Sequence, residues 1–237
     1  KCNRDDTGIS SCLTGVKIGQ VVIINSPANP TGWIITAEQQ GAILEHCRRL
    51  GVWILADDVY ERLVLGEGAG PAPSFLAVAD ERDRVIGANS FSKAWLMTGW
   101  RLGWLVAPAE LADELAKVIE FNTSCVPGFI QSAGIAALTQ GEPHISALQA
   151  ELTQNRDTVI AALQKIEGIE APIPQGGMYA FFRIRGHADS IALAKRLLRD
   201  VGLGLAPGAA FGPEGEGWLR WCFAAGGRDL HDGLERL

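Results

Sequence analysis

Lys93 stands among residues that could together handle an aldehyde and a phosphate. It lies in Ser90-Phe91-Ser92-Lys93-Ala94-Trp95-Leu96-Met97-Thr98-Gly99-Trp100-Arg101-Leu102-Gly103. A lysine amine loses its proton readily when it is desolvated or set beside another cation. In the neutral form it attacks carbonyls and forms Schiff bases. The serine hydroxyls and the Arg101 fork, eight residues after Lys93, suit a phosphate. A Schiff-base lysine beside a phosphate site points to pyridoxal phosphate. On this stretch alone, a strand end followed by a surface lysine reads equally well.

Other polar residues stand at the ends of apolar runs. Asn29 follows one such run, Asp57 and Tyr60 follow a second, and Ser90 to Lys93 follow a third. In open α/β sheets, ligands bind beyond the carboxyl ends of the strands. Taken singly, an aspartate there more often caps a helix, and an asparagine in a Pro-rich turn more often serves the turn. Together they offer a carboxylate for a pyridine nitrogen, hydrogen-bond donors for a phenolic oxygen, and an amine for an aldehyde. Arg220 lies in an aromatic run, where a charge needs a partner: an incoming carboxylate or a structural Asp or Glu. Gly176-Gly177 would let backbone approach a ligand closely, or make a plain strand-entry turn.

The elements that must position these residues follow from periodicity. Gln20–Asn25 is a short β-branched run, expected as a strand buried on both faces of a parallel sheet. Ser26–Gly32 is a turn dense in Pro, Asn and Gly. Thr36 followed by Gln39 is a capping box that opens a helix through about Leu50, with Gly51 at its C-cap. Val52–Ala56 is a second buried strand, the third runs up to Ser90, and Leu102–Ala107 is a fourth. Helices are expected from Pro108 to about Asn122, after Pro127, and from about Glu142 to Ile166, the last long enough to bridge two domains. Met178–Ile184 and Trp218–Phe223 read as strands, Ser190–Val201 as a helix, and a terminal helix begins near Arg228. This order indicates α/β with a second domain.

Composition narrows the classes. The chain has 237 residues, 47% hydrophobic and 20% charged, with a net charge of −6. Nucleic acids and membrane surfaces want a basic face, so neither is an expected partner. No apolar run approaches the ~20 residues needed to span a bilayer. Residues 1–20 read as polar and irregular, without a signal peptide, like the tail of something that began earlier. The five cysteines are scattered and never form a CxxC pair, which fits neither a disulfide framework nor zinc and suggests a reduced, cytoplasmic setting. The four histidines do not cluster, and no metal site is expected.

With these motifs in place, the chain resembles the class I/II pyridoxal-phosphate-dependent aminotransferases of fold type I, aspartate aminotransferase-like and lacking the N-terminal part. The resemblance rests on Asn25–Gly32, Ala56–Tyr60, Ser90–Gly103, Gln175–Phe181, Pro207–Gly212 and Leu219–Phe223, matched in order and spacing. It implies a partial, mostly parallel sheet flanked by helices in a large domain over residues 1–145. A small C-terminal α+β domain would cover residues 146–237, including the interdomain helix. Lys93 would be the Schiff-base lysine, Asp57 the partner of the pyridine nitrogen, and Asn29 and Tyr60 the partners of the phenolic oxygen. Ser90 and Arg101 would hold the phosphate, and Arg220 the substrate α-carboxylate with Asn29 beside it.

The implied activity is ping-pong transamination between an amino acid and a 2-oxo acid through a Lys93 aldimine, in a cytoplasmic homodimer. A lyase, decarboxylase or synthase on the same scaffold is the alternative, as is a truncated non-catalytic module. The segment missing before the first turn normally carries a phosphate loop, a ring-stacking aromatic and much of the pocket. This chain alone is therefore expected to bind the cofactor weakly or turn over poorly. Asp58 stands where many members carry glutamate. Trp221 and Cys222 replace the usual Ile or Leu and Ser, which puts the packing around Arg220 in question. Pro207–Gly212 is either an ordinary turn or, as the family implies, a segment that moves over the active site.

Overall fold

The computed structural model describes Lys17 and residues 19–237. The readings made on residues 1–16 and 18, including Cys2 and Cys12, lie outside the described residues. The chain divides into two compact units. One takes the described residues up to Pro27, with Ile34–Leu63 and Gly70–Ser146; the other takes Ala28–Trp33, Val64–Ala69 and Ala147–Leu237. They are called here the lysine unit and the arginine unit.

The lysine unit is built on a four-stranded sheet: β1 (Val21–Asn25), β2 (Trp53–Asp57), β3 (Val85–Ser90) and β4 (Gly103–Val106), in that order. The first three are parallel and β4 is antiparallel to β3. The parallel register sets Asn25 beside Asp57 and Asp57 beside Ala88, so polar residues gather at the carboxyl ends. Helix α1 (Ala37–Leu50) links β1 to β2 and starts on the expected box. Thr36 Oγ accepts from Gln39 N at 3.1 Å, and Thr36 N donates to Gln39 Oε1 at 2.9 Å. Gly51 closes it at φ 61°, a left-handed turn that glycine adopts without strain. The helix buries Gln40, Ile43, Leu44 and Cys47, one face at helical spacing. Helices α2 (Ala112–Thr123) and α3 (Gly128–Gln140) follow β4.

One expectation fails here. β1 is not buried on both faces: Val21 and Ile23, two apart and so on one face, are 56% and 65% exposed. β1 ends the strand order, and no described element covers that face. An apolar β-branched run records the propensity to be a strand, not the presence of a layer over it.

The chain leaves the lysine unit within α4 (Glu142–Lys165). In the arginine unit, β5 (Ile169–Glu170), β6 (Tyr179–Ile184), β7 (Ala206–Pro207) and β8 (Trp218–Cys222) form an antiparallel sheet in the order β5-β6-β8-β7. Helix α5 (Ser190–Val201) is capped by Asp189, whose Oδ1 accepts from Ala192 N at 2.8 Å, and α6 (Gly227–Glu235) ends the chain. The question raised by Trp221 has a local answer. Trp221 is buried, and a Cβ at Gly233 of α6 would lie 2.9 Å from its ring. The large ring fits because the facing helix carries glycine.

Among the described residues, no helix is long and apolar enough to cross a membrane, and no cluster of metal-ligating side chains occurs.

Candidate active site

In the lysine unit, Lys93 sits in the turn between β3 and β4, and an aromatic cluster stiffens that turn. Phe91 lies 5.0 Å from both Trp95 and Trp104, and the two tryptophans are 6.2 Å apart. Trp95 Nε1 donates to Ala137 O at 3.0 Å. Phe91 N donates to Leu102 O, and Met97 N to Phe91 O, closing the turn on itself. Each such aromatic pair is worth about 0.5–1.5 kcal/mol beyond its buried area. Two non-glycine residues, Leu96 and Arg101, take φ 53°, a strained value held by this scaffold. Lys93 Nζ lies 5.6 Å from the centre of the buried Tyr60 ring. Among the described residues, no carboxylate pairs with Lys93.

Asp57 ends β2 and is partly buried. Burial pushes its carboxyl up, against the pull of the Val59 backbone N–H. No basic side chain among the described residues pairs with it. Asn25 Nδ2 donates to Asp57 O at 3.1 Å, a bond not foreseen from sequence, which ties the ends of β1 and β2. Asp58 is buried, accepts from Ser74 Oγ at 2.9 Å, and has its carboxyl raised to about 6, chiefly by desolvation. Glu61 is also raised by burial, with the Arg62 charge and then the Asn89 side chain opposing. Ser90 Oγ accepts from Ser92 N at 3.1 Å. Arg101 is exposed and donates from Nη1 to Thr98 O at 2.7 Å. A recess lined by Cys47, Arg48 and Arg84 lies at the amino ends of β2 and β3, away from these residues.

The arginine unit brings together the other two expected residues. Arg220, on β8, donates from Nη1 to Asn29 Oδ1 at 2.8 Å. The turn carrying Asn29 is held by Gln175 N and Gly176 N, which donate to Gly32 O at 2.9 and 3.0 Å. Gly32 has φ 68°, and a Cβ there would lie 2.3 Å from Pro174 Cβ, so this close crossing requires glycine. Of the two partners open to Arg220 from sequence, the structural carboxylate is not found among the described residues. The charge instead rests over Tyr179 at 4.2 Å and Phe211 at 4.7 Å. Sequence reasoning missed both rings in this role, because only tertiary pairing brings them to the arginine.

Pyridoxal phosphate would find fitting groups in the lysine unit. Among the described residues Asp57 has no cation and Lys93 no acid beside it; such a desolvated carboxylate suits a protonated ring nitrogen, and such an amine an aldehyde.

The family model for aminotransferase class I and II matches residues 9–234. The aspartate aminotransferase of Musicola paradisiaca is 34% identical over 218 residues, covering 91% of this chain and 54% of that protein. The solved aspartate aminotransferase from Thermotoga maritima is similar at a TM-score of 0.85 and 32% identity, over 95% of this chain and 58% of that one. The aromatic aminotransferase from Pyrococcus horikoshii OT3 is similar at a TM-score of 0.89 and 29% identity, over 98% and 62%. The chain spans about half the length of the curated relatives it matches.

Proposed function

This chain belongs to the class I and II aminotransferases of fold type I, and from that premise we propose that it serves a pyridoxal-phosphate-dependent transamination between an amino acid and a 2-oxo acid. The observation that carries this reading is the meeting, within one unit, of the Lys93 amine, unpaired among the described residues, with Tyr60 at 5.6 Å and a desolvated Asp57. When bound, the cofactor supplies an aldehyde for the incoming amine and a ring that draws electrons from the substrate Cα.

The residues divide the remaining work. Lys93 is the nucleophile toward the aldehyde and afterwards the base and acid that moves the substrate Cα proton. Asp57 keeps the ring nitrogen protonated. Tyr60 and Asn29 donate hydrogen bonds to the phenolic oxygen, and Ser90 and Arg101 hold the phosphate. Arg220 takes the α-carboxylate, which a guanidinium can grip through two parallel hydrogen bonds. The amino group leaves the first substrate as its oxo acid departs and is delivered to a second oxo acid, so the kinetics are ping-pong.

A panel of amino donors incubated with the cofactor-loaded protein, scored for oxo acid against ammonia or olefin, tests the reaction class. Stoichiometric oxo acid without ammonia is the expected result. Ammonia or olefin as the main product would move the assignment to a lyase.

A further inference from the structure

The guanidinium of Arg220 is more constrained than carboxylate binding alone requires. Tyr179 belongs to β6, which pairs along one side of β8; Phe211 follows β7, which pairs along the other. Rings from both neighbouring strands thus reach the same cation, at 4.2 and 4.7 Å. Asn29 occupies Nη1. Nε is buried without a hydrogen-bond partner among the described residues, and Nη2 makes no hydrogen bond there either. Nη1 is thus engaged and Nε is sealed from solvent, which leaves Nη2 as the corner of the fork open to a ligand.

Phe211 is itself pinned. Its short 3-10 helix, Gly208–Phe211, is anchored by Ala209 N donating to the Oγ of fully buried Ser190 at 3.1 Å. Gly208 meets Gly215 so closely that a Cβ on Gly208 would lie 1.9 Å from Gly215 O. The Phe211 ring meets Phe181 edge-on at 6.2 Å, and Phe181 stacks on Trp218 at 5.2 Å with 12° between the planes. Arg183 then lies over Trp218 at 5.1 Å. Three successive rings, Phe211, Phe181 and Trp218, thus form a row with Arg220 at one end and Arg183 at the other.

We propose that Phe211 and Tyr179 are positioning residues, which fix the Arg220 plane so that its Nη2 corner is presented to a substrate carboxylate. This deepens the reading of Arg220 above and rests on it. A free arginine loses side-chain freedom when it grips a ligand; a stacked one has lost it already, so less affinity is spent on ordering.

The test follows the arginine Nε–H signals of the full chain by NMR while propionate is added. Propionate has no carbonyl for Lys93 to attack. The signal missing in Arg220→Lys identifies Arg220. The wild type should show a saturable shift at that signal. Phe211→Leu should weaken propionate about three- to tenfold, the scale of one cation–π contact, at an unchanged urea midpoint, and Phe211→Tyr should restore binding. If the wild-type signal does not move, the carboxylate reading falls and this inference with it. If the wild type binds and Phe211→Leu binds equally well, the positioning role is overturned while the carboxylate reading stands. Weak binding in Phe211→Leu with a lowered urea midpoint and no recovery in Phe211→Tyr also overturns it, in favour of a purely structural ring.

Discussion

The two units present their chemistry in opposite ways. The lysine unit offers Asp57 and Ser90 from the ends of parallel strands and Lys93 from the turn beyond, where the backbone is free to be shaped. The arginine unit offers Arg220 from within an antiparallel sheet, where neighbouring strands dictate what lies beside it. They also differ in how far they cover themselves. In the arginine unit, Tyr179 to Phe182 are all buried along β6, and Phe223 and Leu219 are fully buried. In the lysine unit, α2 buries no residue, and Phe121 is 93% exposed. Exposed apolar side chains of that kind leave a surface that another layer can cover. Lys93 sits in that unit in a turn stiffened locally by Phe91, Trp95 and Trp104. A carboxylate fork needs closed surroundings, because its value depends on orientation and desolvation.

The contrast predicts that damage to one unit leaves the chemistry of the other intact. Lys93→Ala should lower single-turnover conversion of an amino donor by about 10²- to 10⁴-fold, the usual worth of a general acid–base group. The carboxylate-induced NMR shift at Arg220 should persist; its loss would break the separation of roles. Arg220→Lys should weaken 2-oxo acid binding by roughly 1.5–3 kcal/mol, the scale of hydrogen bonds to a charged group. Equilibrium binding measures this, and cofactor attachment at Lys93 should be unaffected.

Two further changes probe the stability of the lysine unit. The Asp58 carboxyl holds its proton up to about 6 in the fold, against 3.8 as its ordinary value. The unfolded state therefore deprotonates first, so stability falls as pH rises from about 4 to about 6 and stays lower above that. The penalty is at most about 3 kcal/mol. Asp58→Asn keeps an acceptor for Ser74 and should flatten that pH dependence in urea unfolding. An unchanged slope would mean that the Asp58 charge is already accommodated. Thr36→Ala should cost about 1 kcal/mol through loss of the α1 cap, seen as a lower urea midpoint, with amide exchange in β6 and β8 unaltered.

Local features were legible in the sequence and long-range ones were not. The Thr36–Gln39 box, the Gly51 cap and helix Ser190–Val201 depend on neighbours within a turn, and each formed as read. The two-residue strands β5 and β7 carry too few residues for any periodicity, so they went unseen. The bare face of β1 could not be read, because Val21 and Ile23 look the same with or without a layer above them. Lys93, Asp57 and Tyr60 stand out in the sequence by residue type and motif, and the lysine unit sets Lys93 Nζ 5.6 Å from the Tyr60 ring. The Asn29 bond to Arg220 spans 191 positions, and the rings of Tyr179 and Phe211 reach that arginine only through strand pairing. A charged residue in an aromatic strand signalled that a partner existed, without saying which.

The central claim is that Lys93 is the amine that carries pyridoxal phosphate. Borohydride reduction of the cofactor-loaded protein, followed by peptide mapping, tests it directly. Lys1, Lys17, Lys117, Lys165 and Lys195 serve as internal controls. A single pyridoxyl label on Lys93, lost in Lys93→Ala, is the predicted result. A label on any of the other five, with Lys93 unmodified, would contradict the account.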